Sequence, residues 1–313
     1  MLKFVLRRLF SGVVLIFGVS SLTFFMLNFS ATTIARNILG EYATETQVQA
    51  KTVELGLDRP LLERYFDWLG GAFSGNMGRS WFTSEKVATA ILSRLPVTLS
   101  VVFISIALTA VLAVLIGSAA AVYRGWIDRA VQILSIVGHA VPSFIIAVLV
   151  VSVLAVQLRW FPATGYTSIQ QSLSGWALSI TLPIVALVIG VTASSAQHLR
   201  SAMLDVFKQD WVRTLRSRGI GEREITFKYV LRSAAPAGLT ILSLQFVALL
   251  GGNVIIERIF AIPGIGSLAV QSTTYGDIPI VMAVVLFTIM IVVVVNLLVD
   301  LANGWLNPKA RAA

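Results

Sequence analysis

RTLRSRGIGEREITFKYVLRSAAP, residues 213–236, carries eight charged side chains: Arg213, Arg216, Arg218, Glu222, Arg223, Glu224, Lys228 and Arg232. Only 12% of the 313-residue chain is charged, 57% is hydrophobic, and long apolar runs lie on both sides of the stretch. A soluble domain of this length needs more polar surface than that. The mean hydropathy of +0.85 points instead to a chain that lives in a bilayer. The polar stretch then reads as an extramembrane turn between two spans.

Working outward, six runs approach the ~20 apolar residues that a bilayer core demands of a helix: Leu9–Phe29, Val97–Val122, Val131–Leu158, Ala177–Ala193, Ala237–Ile256 and Ile278–Leu301. The third holds Pro142 and the fourth Pro183, each of which removes a helix hydrogen bond and invites a kink. The start, MLKFVLRRLF, has the basic opening of a signal peptide, but its apolar run is too long for a signal core and no small-x-small cleavage site follows. The expectation is an uncleaved first span. No internal repeat or low-complexity segment is evident.

Six spans put both termini on one side. Fifteen of the 24 basic residues then fall on that side, among them Lys3, Arg7, Arg8, Arg124, Arg129, Arg200 and the arginines of 213–232. Seven of the other nine lie in the long segment 30–96, where seven acids balance them. Long translocated segments count little toward orientation, so the termini and residues 213–236 are expected in the cytoplasm. The net charge of +9 belongs to these loops and to anionic lipid, not to nucleic acid, since no aromatic–basic repeat accompanies it.

Segment 30–96 reads as a small helical subdomain. LLERYFDWLGGAF puts Leu61, Leu62, Tyr65, Phe66 and Leu69 on one face at helical spacing, before Gly70, Gly71, Gly75 and Gly78 interrupt. It serves either as a cap over the outer helix ends or as a docking face for something arriving from outside.

Within the polar stretch and its approach, Leu204, Phe207, Trp211 and Leu215 recur at three- and four-residue spacing, and Gly219 and Gly221 then break the helix. A second short helix is expected from about Glu222 to Leu231, its acids suiting the N-terminal dipole, with Pro236 opening the next span. Two such helices either lie on lipid headgroups or insert into a partner's groove. Charge pattern alone leaves both open.

The triplet Arg213, Thr214, Leu215, then Gly219, an apolar–basic helix and a proline, resembles the EAA loop of permease subunits of binding-protein-dependent ABC importers. It is similar to the dipeptide/oligopeptide (nickel) branch, where Arg-Thr-Ala commonly stands for Glu-Ala-Ala. LGLDRPLLERYFDWL (55–69), GNMGRSW (75–81), RLPVTL (94–99), AVPSF (140–144), WFPATGY (160–166), ERIFAIPGIGSL (257–268) and NLLVDLANGWLNPKAR (296–311) extend the resemblance over almost the whole chain. Leu215 departs from the usual alanine, and Pro236 falls one residue early.

The resemblance implies an all-α integral membrane fold. It has six transmembrane helices, an extracellular helical insertion after the first and a cytoplasmic coupling-helix loop between the fourth and fifth. The implied organisation is 1–29 (cytoplasmic N-terminus and first helix), 30–96 (extracytoplasmic subdomain) and 97–313 (five-helix core, coupling loop at 196–236). It also implies an ATPase-coupling role for Leu204, Phe207, Trp211, Arg213, Thr214, Leu215, Arg216, Gly219 and Glu222. The implied partners are one or two cytoplasmic ATPase subunits, a second homologous permease and an extracellular solute-binding protein. ATP and magnesium belong to the ATPases. Relatives of this branch carry dipeptides, longer peptides, glutathione, nickel chelates or some sugars.

The residues themselves agree with a subunit that lacks a motor. No G-x-x-x-x-G-K-[ST] phosphate loop occurs. There is no cysteine and no clustered catalytic set, because only His139 and His198 are present. A stand-alone secondary transporter usually needs inverted repeats and intramembrane carboxylates, and Asp300 alone stands out here. Polar residues within spans are functional candidates. His139 precedes the Pro142 bend; Gln245 and Asn253 share a face of the fifth span; Asn296 and Asp300 share one on the sixth. Each is either a pathway residue or a packed polar group. ERIFAIPGIGSL is either a re-entrant loop or a tight turn with Ile262 and Ile265 packed inward.

Overall fold

Among the described residues the long apolar runs are helical apart from one break at 141–142, as they must be where lipid offers the backbone no hydrogen-bond partner. The computed structural model describes residues 2–28, 31–40, 42–123 and 125–306, without the side chains of 2–4, 31–33 and 139. The helices are α1 (Leu2–Leu27), α2 (Ala31–Leu39), α3 (Glu45–Glu54), α4 (Leu61–Ser74), α5 (Val87–Val122), α6 (Trp126–Ala140) and α7 (Ser143–Gln157). They continue with α8 (Leu173–Phe207), α9 (Asp210–Ser217), α10 (Glu222–Ile259), α11 (Ile265–Tyr275) and α12 (Ile278–Leu306). No strand occurs among the described residues; Arg79 and Lys86 form an isolated bridge.

Five helices are long and apolar enough to cross a bilayer: Val5–Leu27 of α1, then α5, α8, α10 and α12. The third expected span is broken. Val141 turns extended (φ −88°, ψ 118°) ahead of Pro142, and the two halves, Trp126–Gly138 and Ser143–Gln157, bend by 97°. The residue before a proline avoids the helical region, so the proline ends one helix and starts the next instead of kinking one. Pro183 by contrast sits buried inside α8 with the helix intact around it.

Two compact units emerge. The first comprises residues 1–5, 99–262 and 294–313. Here α8 packs along α6, α7 and α10. Ser135 Oγ donates to the Ala193 carbonyl at 2.7 Å, joining α6 to α8. Thr240 Oγ1 accepts from Asn303 at 3.4 Å and Ser243 Oγ donates to Asn296 Oδ1 at 2.7 Å, joining α10 to α12. In hydrocarbon-facing bundles such hydroxyl and amide bonds hold helices that apolar contact alone does not select.

The second unit comprises residues 6–98 and 263–293. One core gathers Val87, Ala90 and Ile91 of α5 with Ile265 and Leu268 of α11 and Ala283 of α12. Another surrounds Phe24, Tyr65 and Met282. Tyr65 stacks on Phe25 (5.1 Å between centroids) and bonds Ser21 at 2.7 Å. The face expected on α4 splits: Leu61, Tyr65 and Leu69 turn inward with Trp68, while Leu62 and Phe66 are more than 60% exposed. Gly70 and Gly71 do not break α4; the helix runs on to Ser74 and stops at Gly75, whose φ of +76° favours glycine. Arg59 pairs with Asp67 at 2.7 Å, and that hydrogen bond holds its guanidinium above the ordinary arginine pKa. Burial pushes Arg64 the other way; its guanidinium donates to Asn28 Oδ1.

ERIFAIPGIGSL is a turn followed by a helix of its own. Ile262 and Ile265 are both buried. Helix α11, which sequence reasoning missed, starts at Ile265, whose N–H is received by Thr98 Oγ1 at 2.8 Å. Its first orphan donor thus has a partner supplied from α5, far away in sequence.

Candidate functional site

The polar loop lies wholly in the first unit. Helix α8 does not run on through Trp211; it ends at Phe207, and α9 restarts at Asp210. Val212 is fully buried with Met203, Val206, Ile225 and Val230. Leu204, Phe207 and Leu215 pack half-buried against the same core. Three of the four apolar residues expected to meet a partner therefore anchor the loop to its own bundle. The outward face of α9 is Asp210, Arg213 and Thr214, with Trp211 37% exposed.

Helix α9 closes in a Schellman motif. Gly219, at φ +77°, donates to the Arg216 carbonyl at 2.9 Å, and Ile220 donates to that of Leu215 at 3.3 Å. Leu215 and Ile220, on either side of this turn, both pack against the same buried cluster. Arg216 then clips the turn from outside, Nε to Glu222 Oε1 at 2.6 Å and Nη2 to Oε2 at 3.2 Å. The Glu222 hydrogen bonds hold the Arg216 guanidinium above its ordinary pKa. The expected second short helix is no separate element. It is the start of α10, which continues through a π-helical stretch, Ile225–Val230, into the span, with Pro236 inside the helix.

The polar residues expected along a pathway separate into two groups. Asn296 meets Ser243, and Asp300 lies one turn further on α12, half-buried. Asn253, fully buried, donates to Glu257 Oε1 at 2.8 Å, one turn on. Glu257 is itself only 1% exposed, a buried carboxylate that the apolar-looking ERIFAIPG motif disguised. These are packed polar pairs. Gln245 is different: its amide donates at 3.3 Å to the Oγ of Ser194, a wall residue of an open groove of about 540 Å³ between α6 and α8. Gln132, Ser135, Ser194, Gln197 and His198 line that groove. His198 Nδ1 donates to the Ser194 carbonyl at 2.8 Å, and Gln197 Oε1 is buried with no partner among the described residues. Its polar side chains are amides, hydroxyls and one imidazole, each able to bond an amide. The side chain of His139 lies outside the described residues, as do Arg124, Lys309 and Arg311. Nothing in the sequence spacing joined Gln132 and Gln197 to Gln245; their neighbourhood comes from helix crossing.

Helical throughout its regular elements among the described residues, with five helices long and apolar enough to cross a bilayer, the chain is built as a membrane component. The chain belongs to the family described as binding-protein-dependent transport system inner membrane component, matched over residues 113–312, with the N-terminal component of the same systems matched over 1–102. A relative in Brucella abortus (strain 2308), named for a peptide transport system permease, is 36% identical over 99% of both chains. One in Sinorhizobium fredii, named for a peptide ABC transporter permease, is 34% identical over 98% of this chain and 99% of its own. The glutathione transport system permease protein GsiC of Escherichia coli (strain K12) is 32% identical over 99% of both. The chain is the permease subunit of an ABC importer in the plasma membrane, and the ATP-hydrolysing site lies on a partner subunit.

Proposed function

We propose that this permease imports short peptides and forms half of their path, the other half coming from a second, similar permease. The relatives named for peptide and glutathione systems support the substrate class, and all are full-length matches. The groove lined by Gln132, Ser135, Ser194 and Gln197 supports it chemically. Amide and hydroxyl groups bond a peptide backbone whatever its side chains. Selection then falls to the solute-binding protein.

In the same reading both termini and residues 196–236 face the cytoplasm, residues 30–96 face outward, and 97–313 form the core. One observation carries the coupling role: α9 is fixed to the bundle through Val212 and Leu215, while the Gly219 turn and the Arg216–Glu222 clip make it a stiff projection. Its exposed Asp210, Arg213 and Thr214, with Trp211 at the side, face an ATPase cleft. ATPase closure displaces the bundle only if the ATPase contacts α9 differently in its nucleotide states, because an equilibrium shifts only through differential affinity.

The test is reconstitution of the two permeases with ATPases and binding protein. Short peptides are expected to stimulate ATP hydrolysis and accumulate inside. Solute movement by this chain without an ATPase would overturn the reading.

A further inference from the structure

We infer that the first unit carries a binding site for an anionic phospholipid headgroup beside the coupling helix. A cleft of about 450 Å³ opens between α9, the start of α10 and the end of α12, lined by Trp211, Lys228, Tyr229, Arg232, Ser233 and Leu306. Its volume lies in the range of small-ligand pockets, ~300–1,000 Å³. The charged groups on its wall are both cations. Lys228 reaches Glu224 at 2.7 Å and lies 5.5 Å from the Tyr229 ring centroid. Arg232, one turn further along α10, is exposed and has no acidic partner among the described residues. Ser233 adds a hydroxyl donor, so two cations and a hydroxyl converge on one opening, a donor set suited to a phosphate diester.

The position favours a lipid over a protein ligand. The cleft sits where α10 turns from its polar start into an apolar span and where apolar α12 finishes at Leu306. That is headgroup level for both helices. Trp211 and Tyr229 on its wall, and Trp305 beside Leu306 at 70% exposure, are the residues that gather at membrane interfaces. Residues 307–313 follow Leu306 with Lys309, Arg311 and no acid, so the adjoining chain repels neither phosphate nor an anionic leaflet. A bound headgroup would tie α9, through Trp211, to the spans that it moves. The inference does not depend on the imported solute.

The assembled transporter in nanodiscs of phosphatidylcholine, with or without phosphatidylglycerol, provides the test, with retained lipid counted by native mass spectrometry. Wild type is expected to keep phosphatidylglycerol through delipidation. Lys228→Gln with Arg232→Gln should weaken retention by about 5-fold per cation, the equivalent of ~1 kcal/mol each. Arg232→Lys should restore most of it, and Arg218→Gln, outside the cleft, should leave it unchanged. Equal retention in the double variant, or equal loss in Arg218→Gln, would overturn the inference. Displacement of the lipid by inorganic phosphate would assign the site to a free anion, and exclusion of lipid when the ATPase subunits bind would assign it to protein contact; either overturns it.

Discussion

Arg200 on α8 and Asp128 on α6 form a two-pronged ion pair, Nη2 lying 2.7 Å from Oδ2 while Nε bonds Oδ1. Only 13% and 18% of the two side chains are exposed, and Gln132 adds a bond to Asp128 at 3.1 Å. The pair locks α6 to the helix that leads into the polar loop. Arg200→Gln leaves a largely desolvated carboxylate short of its charge partner. It should cost roughly 1.5–3 kcal/mol, the scale of a hydrogen bond to a charged group. Thermal unfolding of the purified complex measures this, and a midpoint equal to wild type would refute it.

In the second unit Asp277 fastens the loop after α4. Its Oδ1 receives the Trp81 N–H at 3.0 Å and its Oδ2 the Ser80 hydroxyl, and the carboxylate is 4% exposed. Asp277→Ala strands two donors, each left unsatisfied at about 1–3 kcal/mol. Faster proteolysis between residues 75 and 86, with the remainder resistant, is the expected result.

The buried Asn253–Glu257 pair predicts an asymmetry. Glu257→Gln keeps an acceptor for the Asn253 amide and should leave complex abundance near wild type. Glu257→Leu removes it, orphaning a buried donor at about 1–3 kcal/mol, and should lower abundance several-fold. Quantitative immunoblotting of membranes compares them, and equal abundance of the two variants would argue against the pairing.

Gly219 tests the turn itself. No atom lies within 4 Å of where a Cβ would sit, so crowding is not the difficulty; the φ of +77° is. A β-branched residue there is strained by about 1–3 kcal/mol, whereas asparagine tolerates the conformation. Gly219→Val should cut uptake and uncouple it from ATP hydrolysis at normal complex abundance, and Gly219→Asn should do so much less. Normal coupled uptake in Gly219→Val would remove the turn from the mechanism.

The spans were legible because the bilayer imposes one crude demand, sustained apolarity, which α1, α5, α8, α10 and α12 meet. What the sequence hid was set by contacts distant along the chain. Thr98 receives the first amide of α11, so a Pro-Gly-Ile-Gly motif that reads as a turn launches a helix. Leu204, Phe207 and Leu215 have the periodicity of a docking face but serve the loop's own core, since spacing cannot say which neighbour a face meets. The π-helical stretch at Ile225–Val230 carries α10 from the loop into its span without the break expected before Pro236. Of the pathway candidates whose side chains are described, Gln245 bonds Ser194, itself on the groove wall, while Asn253 and Asn296 are occupied by Glu257 and Ser243.

The chain has no cysteine, so one introduced thiol is unique in it. Thr214→Cys, on the exposed face of α9, can be crosslinked to single cysteines in the ATPase cleft during turnover. The account predicts an efficient crosslink whose partner position shifts between the ATP-bound and ATP-free states. A functional transporter in which Thr214→Cys meets only lipid, or meets the ATPase identically in both states, would contradict it.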